Sequence, residues 1–337
     1  MIDRDYNYLY GVIRSRESEL VTANQLDGLV NMRSINDINQ ILSESSFAQN
    51  FLSNLTEEGL EKALQIEYDE LRYLIDTYAP ESALRKFYLL PRDLYNFKVA
   101  IRSDLVQVDY NQLTGPEGVA DVKNIKESIT QGNEVVSAGD IGDVTQDLKR
   151  VLDCAISVFH ASGRSGQVLE LCIDRLSNLY QARIAQDMSD KAGSVFSDFA
   201  SLSAAEMIVR GRNAGVPWHV VSAALLDFSG IADIEEIYSL RIEEWNTKLN
   251  SFQGIFRDFM TRVAEGEDVS GALRAEQKKL DQLVAEWRWA APSFTFVCYY
   301  IRKKSIDISN LRLVCLSKLK GISGEVIFPR LRQGMVV

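Results

Sequence analysis

Asp93-Leu94-Tyr95-Asn96-Phe97-Lys98 and Asp307-Ile308-Ser309-Asn310-Leu311-Arg312 share one pattern: Asp, then Asn three residues on, an apolar residue at i+4 and a base at i+5. They stand 214 residues apart (307 − 93). If that interval spans two repeats, a middle copy is expected near residue 200. A worn one stands there, Asp198-Phe199-Ala200-Ser201-Leu202-Ser203, with Ser201 in place of Asn and Ser203 in place of the base. A second marker tests the period. Tyr68-Asp69-Glu70-Leu71, Ile173-Asp174-Arg175-Leu176 and Leu280-Asp281-Gln282-Leu283 place Asp69, Asp174 and Asp281 at intervals of 105 (174 − 69) and 107 (281 − 174). Each lies 24, 24 and 26 residues ahead of Asp93, Asp198 and Asp307 (93 − 69, 198 − 174, 307 − 281). Two markers that keep one spacing in three places predict three similar domains, over residues 1–110, 111–226 and 227–337.

The repeated unit reads as helical. Apolar residues recur at intervals of three and four in Leu64, Tyr68, Leu71 and Leu74-Ile75, in Leu169, Ile173, Leu176, Leu179-Tyr180 and Ile184, and in Leu273, Leu280, Leu283 and Trp287. Hairpin signals of the Asn-Gly or Asp-Gly type joining alternating runs do not occur. Ser53-Asn54-Leu55-Thr56-Glu57-Glu58 offers a cap ahead of a helix. Asn213-Ala214-Gly215-Val216-Pro217 and Gly321-Ile322-Ser323-Gly324 read as helix stops, with bases just before them. The fold class is therefore all-α. On a helix, Asp93 and Phe97 share a face, as do Asp307 and Leu311, with the Asn beside them. Two roles are open to these polar residues: satisfying backbone groups of a neighbouring segment, or facing a partner. The first is favoured, because buried polar groups mostly serve local hydrogen bonds. The bases that follow the motif, Lys98 and Arg102, Arg210 and Arg212, and Arg312, Lys318 and Lys320, complement helix C-termini or meet an acidic partner.

Composition narrows the function. The 337 residues are 46% hydrophobic and 25% charged, ordinary values for a folded protein of two or three domains. A net charge of −10 argues against nucleic acid and anionic lipid and fits a basic protein partner, or simply solubility. No apolar run reaches the roughly 18–20 residues that cross a bilayer, so no direct membrane insertion is expected. Met1-Ile2-Asp3-Arg4-Asp5-Tyr6 does not resemble a targeting segment, and a cytoplasmic protein is expected. Cys154, Cys172, Cys298 and Cys315 are dispersed, which predicts reduced, packed thiols. His160 and His219 have no ligand cluster near them in sequence, so no metal and no cofactor is expected. His160-Ala161-Ser162-Gly163-Arg164-Ser165-Gly166-Gln167 lacks the spacing and the Lys of a phosphate loop and reads as a turn. Glu57-Glu58, Glu235-Glu236 and Glu243-Glu244 are adjacent pairs, about 100° apart on a helix, and read as solvated faces with no catalytic role. Trp245, Trp287, Trp289, Phe294, Phe296, Tyr299 and Tyr300 read mainly as core, with partner anchoring as the alternative.

The repeated Asp-x-x-Asn-apolar-base pattern resembles the C-subunit family of V/A-type rotary ATPases, known in eukaryotes as the d-subunit. Tyr10-Gly11-Val12-Ile13-Arg14-Ser15-Arg16-Glu17-Ser18-Glu19-Leu20 is similar to that family's opening helix. Tyr299-Tyr300-Ile301-Arg302-Lys303-Lys304-Ser305-Ile306-Asp307-Ile308-Ser309-Asn310-Leu311-Arg312, followed by Lys318-Leu319-Lys320-Gly321-Ile322-Ser323, is similar to its closing signature. The resemblance implies three helical domains about a pseudo-three-fold axis, shaped as a funnel. It implies a non-catalytic component between the rotor shaft and the membrane proteolipid ring, coupling H⁺ or Na⁺ transport to ATP synthesis or hydrolysis. The worn middle copy puts equivalent contacts from all three domains in doubt. Competing readings are an unrelated helical scaffold for a soluble partner, and an enzyme built from dispersed acids, which no motif favours.

Overall fold

The computed structural model describes residues 5–32, 34–50, 55–106, 118, 157, 166–225, 231–332 and 335. Every regular element among them is an α-helix or a 3₁₀ turn. Two compact units are present: Met1–Arg85 with Lys278–Val337, and Lys86–Gln277.

The first unit is organised on one long helix. Its elements are α1 (Tyr6–Arg16), α2 (Ala23–Asn31), α3 (Ile38–Ile41), α4 (Glu57–Tyr78), the start of α5 (Ser82–Val106), the end of α11 (Val269–Ala285), α12 (Phe294–Leu319) and α13 (Gly324–Ile327). Asp5 caps α1 by accepting from Tyr8 N at 2.9 Å. Thr22 and Gln25 form a reciprocal capping box on α2. Within the expected cap 53–58, Thr56 fills the role, accepting from Gly59 N at 3.0 Å, while Ser53 and Asn54 lie outside the described residues. α4 buries Leu60, Ala63, Leu64, Glu67, Leu71, Leu74 and Ile75, an apolar stripe with one carboxylate in it. α12 buries most of its side chains between Phe294 and Ser317, with Ser309 exposed, and packs against α1 and α4. Leu26, Leu29 and Val30 of α2, Leu60 and Leu64 of α4, and Ile308, Leu311 and Val314 of α12 form one buried cluster.

The second unit holds most of α5, then α6 (Gly166–Met188), α7 (Asp190–Asn213), α8 (Trp218–Ala224), α9 (Ile231–Ser239), α10 (Gly254–Ala264) and the first part of α11. α6 and α7 are joined by Ser189 alone and pack along each other. Ser189 accepts from Ala192 N at 3.4 Å, opening α7. Gly193 is required there, because a β-carbon would stand 2.6 Å from Gln186 Cα. α10 packs against α7. α7 and α12 end in the same device. Gly215 (φ 69°) and Gly321 (φ 72°) take left-handed backbone. Val216 N donates to Gly211 O and Gly215 N to Arg212 O, as Ile322 N does to Ser317 O and Gly321 N to Lys318 O. Both expected stops are thus Schellman motifs.

Each long-helix pair carries the sequence markers in the same order. Asp69, Asp174 and Asp281 lie on α4, α6 and α11; Asp93, Asp198 and Asp307 lie on α5, α7 and α12. Two expectations about faces need correction. Leu283 is exposed, and α11 instead buries Ala272, Glu276, Leu280 and Val284, because Arg262 neutralises Glu276 at 2.8 Å. Trp289 is 77% exposed, although Trp245, Trp287, Phe294, Phe296, Tyr299 and Tyr300 are buried as expected of core residues. Cys172, Cys298 and Cys315 are buried and are in no disulfide among the described residues; Cys154 and His160 lie outside the described residues.

Pro91 sits inside α5 and has no N–H to give to the Phe87 carbonyl four residues back. The side-chain amide of Gln181, on α6, donates to that carbonyl at 3.3 Å. The pair is therefore coupled. Gln181→Ala should cost about 1 kcal/mol in urea denaturation, and clearly less in a Pro91→Ala background, where residue 91 can supply the missing donor.

Candidate functional site

In the last copy, the motif residues act as local clamps. Asp307 and Lys303 stand one turn apart on α12 and pair at 2.5 Å. Together they grip one residue of the loop before α2: Lys303 Nζ donates to Val21 O at 2.8 Å, and Val21 N donates to Asp307 Oδ2 at 3.2 Å. Burial pushes the Asp307 carboxyl up, and the Lys303 ammonium beside it pulls the other way. Asn310 grips a second residue in the same manner, its Nδ2 donating to Arg332 O and its Oδ1 accepting from Arg332 N, both at 3.0 Å. In this copy the polar side chains of the motif bond backbone groups of neighbouring segments.

The base of the motif reaches a neighbouring helix. Arg312 makes a two-pronged pair with Glu61 of α4, at 2.9 Å on each oxygen. In the second unit, Lys98 donates to Asp174 of α6 at 2.6 Å. In both units the motif base thus reaches a long helix other than its own. Arg212 and Lys318 also reach away from their own helices, to the Tyr238 carbonyl at 3.1 Å and the Met32 carbonyl at 3.0 Å.

The copies differ in setting. Asp93 and Asn96 are fully buried, and Gly118 lies so close to the Asp93 carboxylate that a β-carbon there would overlap it. Asp198 is half-buried, and desolvation raises its pKa. Ser201 is half-buried on the same helix. Asp69 is exposed and accepts from Gln65 at 2.9 Å. Asp281 is 1% exposed and bound by Arg302 at 3.0 Å and Arg332 at 2.8 Å.

A charged cluster escaped the sequence reading. Lys304 pairs with Glu67 of α4, donates to Ser46 Oγ at 2.7 Å and lies 4.4 Å from the centre of the Phe47 ring. Glu67, wholly buried, also accepts from Ser46 Oγ at 2.9 Å and from Asn50 at 2.8 Å. The available signal was Arg302-Lys303-Lys304, three cations inside an apolar helix, which can be buried only if each is paired.

Among the described residues, no group of three or more His, Cys, Asp or Glu is arranged to hold a metal ion, and His219 is exposed. No described helix is long and apolar enough to cross a membrane. Glu57-Glu58, Glu235-Glu236 and Glu243-Glu244 all face solvent. Among the described residues, the motif and its neighbours form a set of ion-paired clamps tying helices together.

The described residues form paired long helices, and the chain belongs to the ATP synthase (C/AC39) subunit family, whose model matches residues 9–328. The C-subunit of the V-type sodium ATPase of Enterococcus hirae is similar at 21% identity over 339 residues, covering 98% of each chain.

Two outcomes follow from these environments. Removing one member of the buried Lys304–Glu67 pair, by Lys304→Met or Glu67→Gln, should cost about 3–5 kcal/mol in chemical denaturation, and the Lys304→Met/Glu67→Leu double variant should lose less than the sum. Asp198 binds its proton more tightly folded than unfolded, so it weakens the fold progressively as pH rises above the ordinary carboxylate value of 3.8. Asp198→Asn should therefore raise the melting temperature at pH 7 and leave it unchanged at pH 3.

Proposed function

We propose that this chain is the non-catalytic central-stalk subunit of a V/A-type ATPase or ATP synthase. It joins the rotor shaft of the ATPase head to the membrane proteolipid ring and passes torque between ATP chemistry and H⁺ or Na⁺ transport. The observation that carries this reading is the family match over nearly the whole chain. Physical chemistry supports it. A part that transmits torque must be stiff, and paired charges that bridge repeats resist relative sliding of helices better than apolar contacts, which have no preferred register. Arg312–Glu61 and Lys98–Asp174 are such bridges.

The division into three similar helical domains, 1–110, 111–226 and 227–337, belongs to the same proposal. It is supported by the helix pairs α4–α5, α6–α7 and α11–α12, each carrying its two markers in the same order. Asp93, Asn96, Asp307 and Asn310 then act in holding the repeats, and Lys98 and Arg312 in joining them. The protein is held at the cytoplasmic side of the membrane through its partners, without inserting. The transported ion is selected in the ring.

The test is a coupling assay. Tagged chain should capture both the shaft subunits and the proteolipid ring from detergent extracts. Vesicles whose complexes lack it should keep ATP hydrolysis by the head and lose ATP-driven ion uptake. Ion uptake that persists without this chain would overturn the proposal.

A further inference from the structure

Residues 322–332 are held to the first unit at few points. Gly321 turns it out of α12, and residues 322–332 run through α13 and a 3₁₀ turn, Phe328–Arg330, mostly exposed. Among the described residues of the strap, Ile327 and Leu331 plug into the apolar cluster of α2, α4 and α12, and Met335 just beyond it is buried as well. Gly324 lies against the Val30 carbonyl, where a β-carbon would stand 2.8 Å from the oxygen. Ile322, Val326 and Phe328 face solvent at 36%, 46% and 45% exposure.

The polar contacts gather at the far end, on Arg332. Asn310 binds its N–H and its carbonyl, and Asp281 binds its guanidinium through both oxygens, at 2.8 and 3.1 Å. The partners left behind determine what opening would do. Asp281 is also held by Arg302 at 3.0 Å, so losing Arg332 does not strand a buried carboxylate. Asn310 is neutral and would be hydrated once uncovered. Lys303, Lys304 and Asp307 keep all their partners, none of which lies in residues 322–332.

We propose that residues 322–332 form a releasable strap, latched at Arg332 by Asn310 and Asp281, which opens without unfolding the helices beneath it. In this copy of the repeat, two pattern residues do more than hold neighbouring helices: they control whether the apolar cluster around Val30 and Leu311 is covered. Opening also frees a short apolar segment, Ile322 to Phe328.

Hydrogen exchange on the full chain tests this, with Arg332→Ala as the main variant and Asn310→Ala as the second. Arg332 lies on the strap itself, so its loss leaves the helices intact even if Asn310→Ala folds poorly. The expected result is at least tenfold faster exchange at Val326, Ile327 and Leu331, with the amides of α4 and of α12 from Phe296 to Val314 unchanged. Unchanged exchange at the strap in Arg332→Ala would show that the latch does not hold it. Faster exchange in α4 and α12 to the same degree would show that the strap is part of the core. Either outcome overturns the proposal.

Discussion

Arg302, Lys303 and Lys304 are consecutive on a buried helix, and successive side chains on a helix point about 100° apart. Each therefore needs its own partner in a different direction. Arg302 finds Asp281 on α11, Lys303 finds Asp307 and the Val21 carbonyl, and Lys304 finds Glu67 on α4 with Ser46. Three charges taken out of water are costly if any one is unpaired. The first unit is thus assembled around α12 in one register only. Apolar packing of α12 against α1 and α4 supplies most of the driving force, and the three cations determine which of many apolar packings is accepted.

The same logic explains the two backbone clamps. Val21 and Arg332 lie outside helices, so their N–H and carbonyl groups have no helical partner. A charged pair one turn apart serves the first, and a carboxamide, which carries both a donor and an acceptor, serves the second. Asp and Asn at positions i and i+3 of the motif are suited to this work because both have short side chains with little conformational freedom to lose. The middle copy, with Ser201 in place of Asn, lacks the carboxamide that could do the same for a backbone residue. Arg175, buried and donating to the Ala200 carbonyl at 3.1 Å, makes a different contact beside it.

Helices, their order and their stops were legible because their signals are local. A stripe at three and four, a Thr ahead of a carboxylate pair and a Gly after bases each depend on residues a few positions apart. The order of the two markers along each pair of long helices was legible because spacing survives substitution. Buried charge was not. Glu276 on α11 and Glu67 on α4 look like interruptions of an apolar face, and only the folded chain brings Arg262 and Lys304 to them. That is why Leu283 was assigned to the buried face and Glu276 was not. The roles of Asp69, Asp174 and Asp281 were likewise unreadable: one pattern places them on corresponding helices, yet two are exposed and the third is buried between guanidinium groups.

The proline in α5 has a mechanical meaning. By leaving the Phe87 oxygen open, it cuts a notch at one height along the helix, and Gln181 of α6 is the side chain that seats in it. A rod that slid past its neighbour by one residue, about 1.5 Å, would pull the tooth from the notch. Apolar surfaces glide; a notch and tooth do not. The two rods are keyed against axial slip by a single omitted hydrogen.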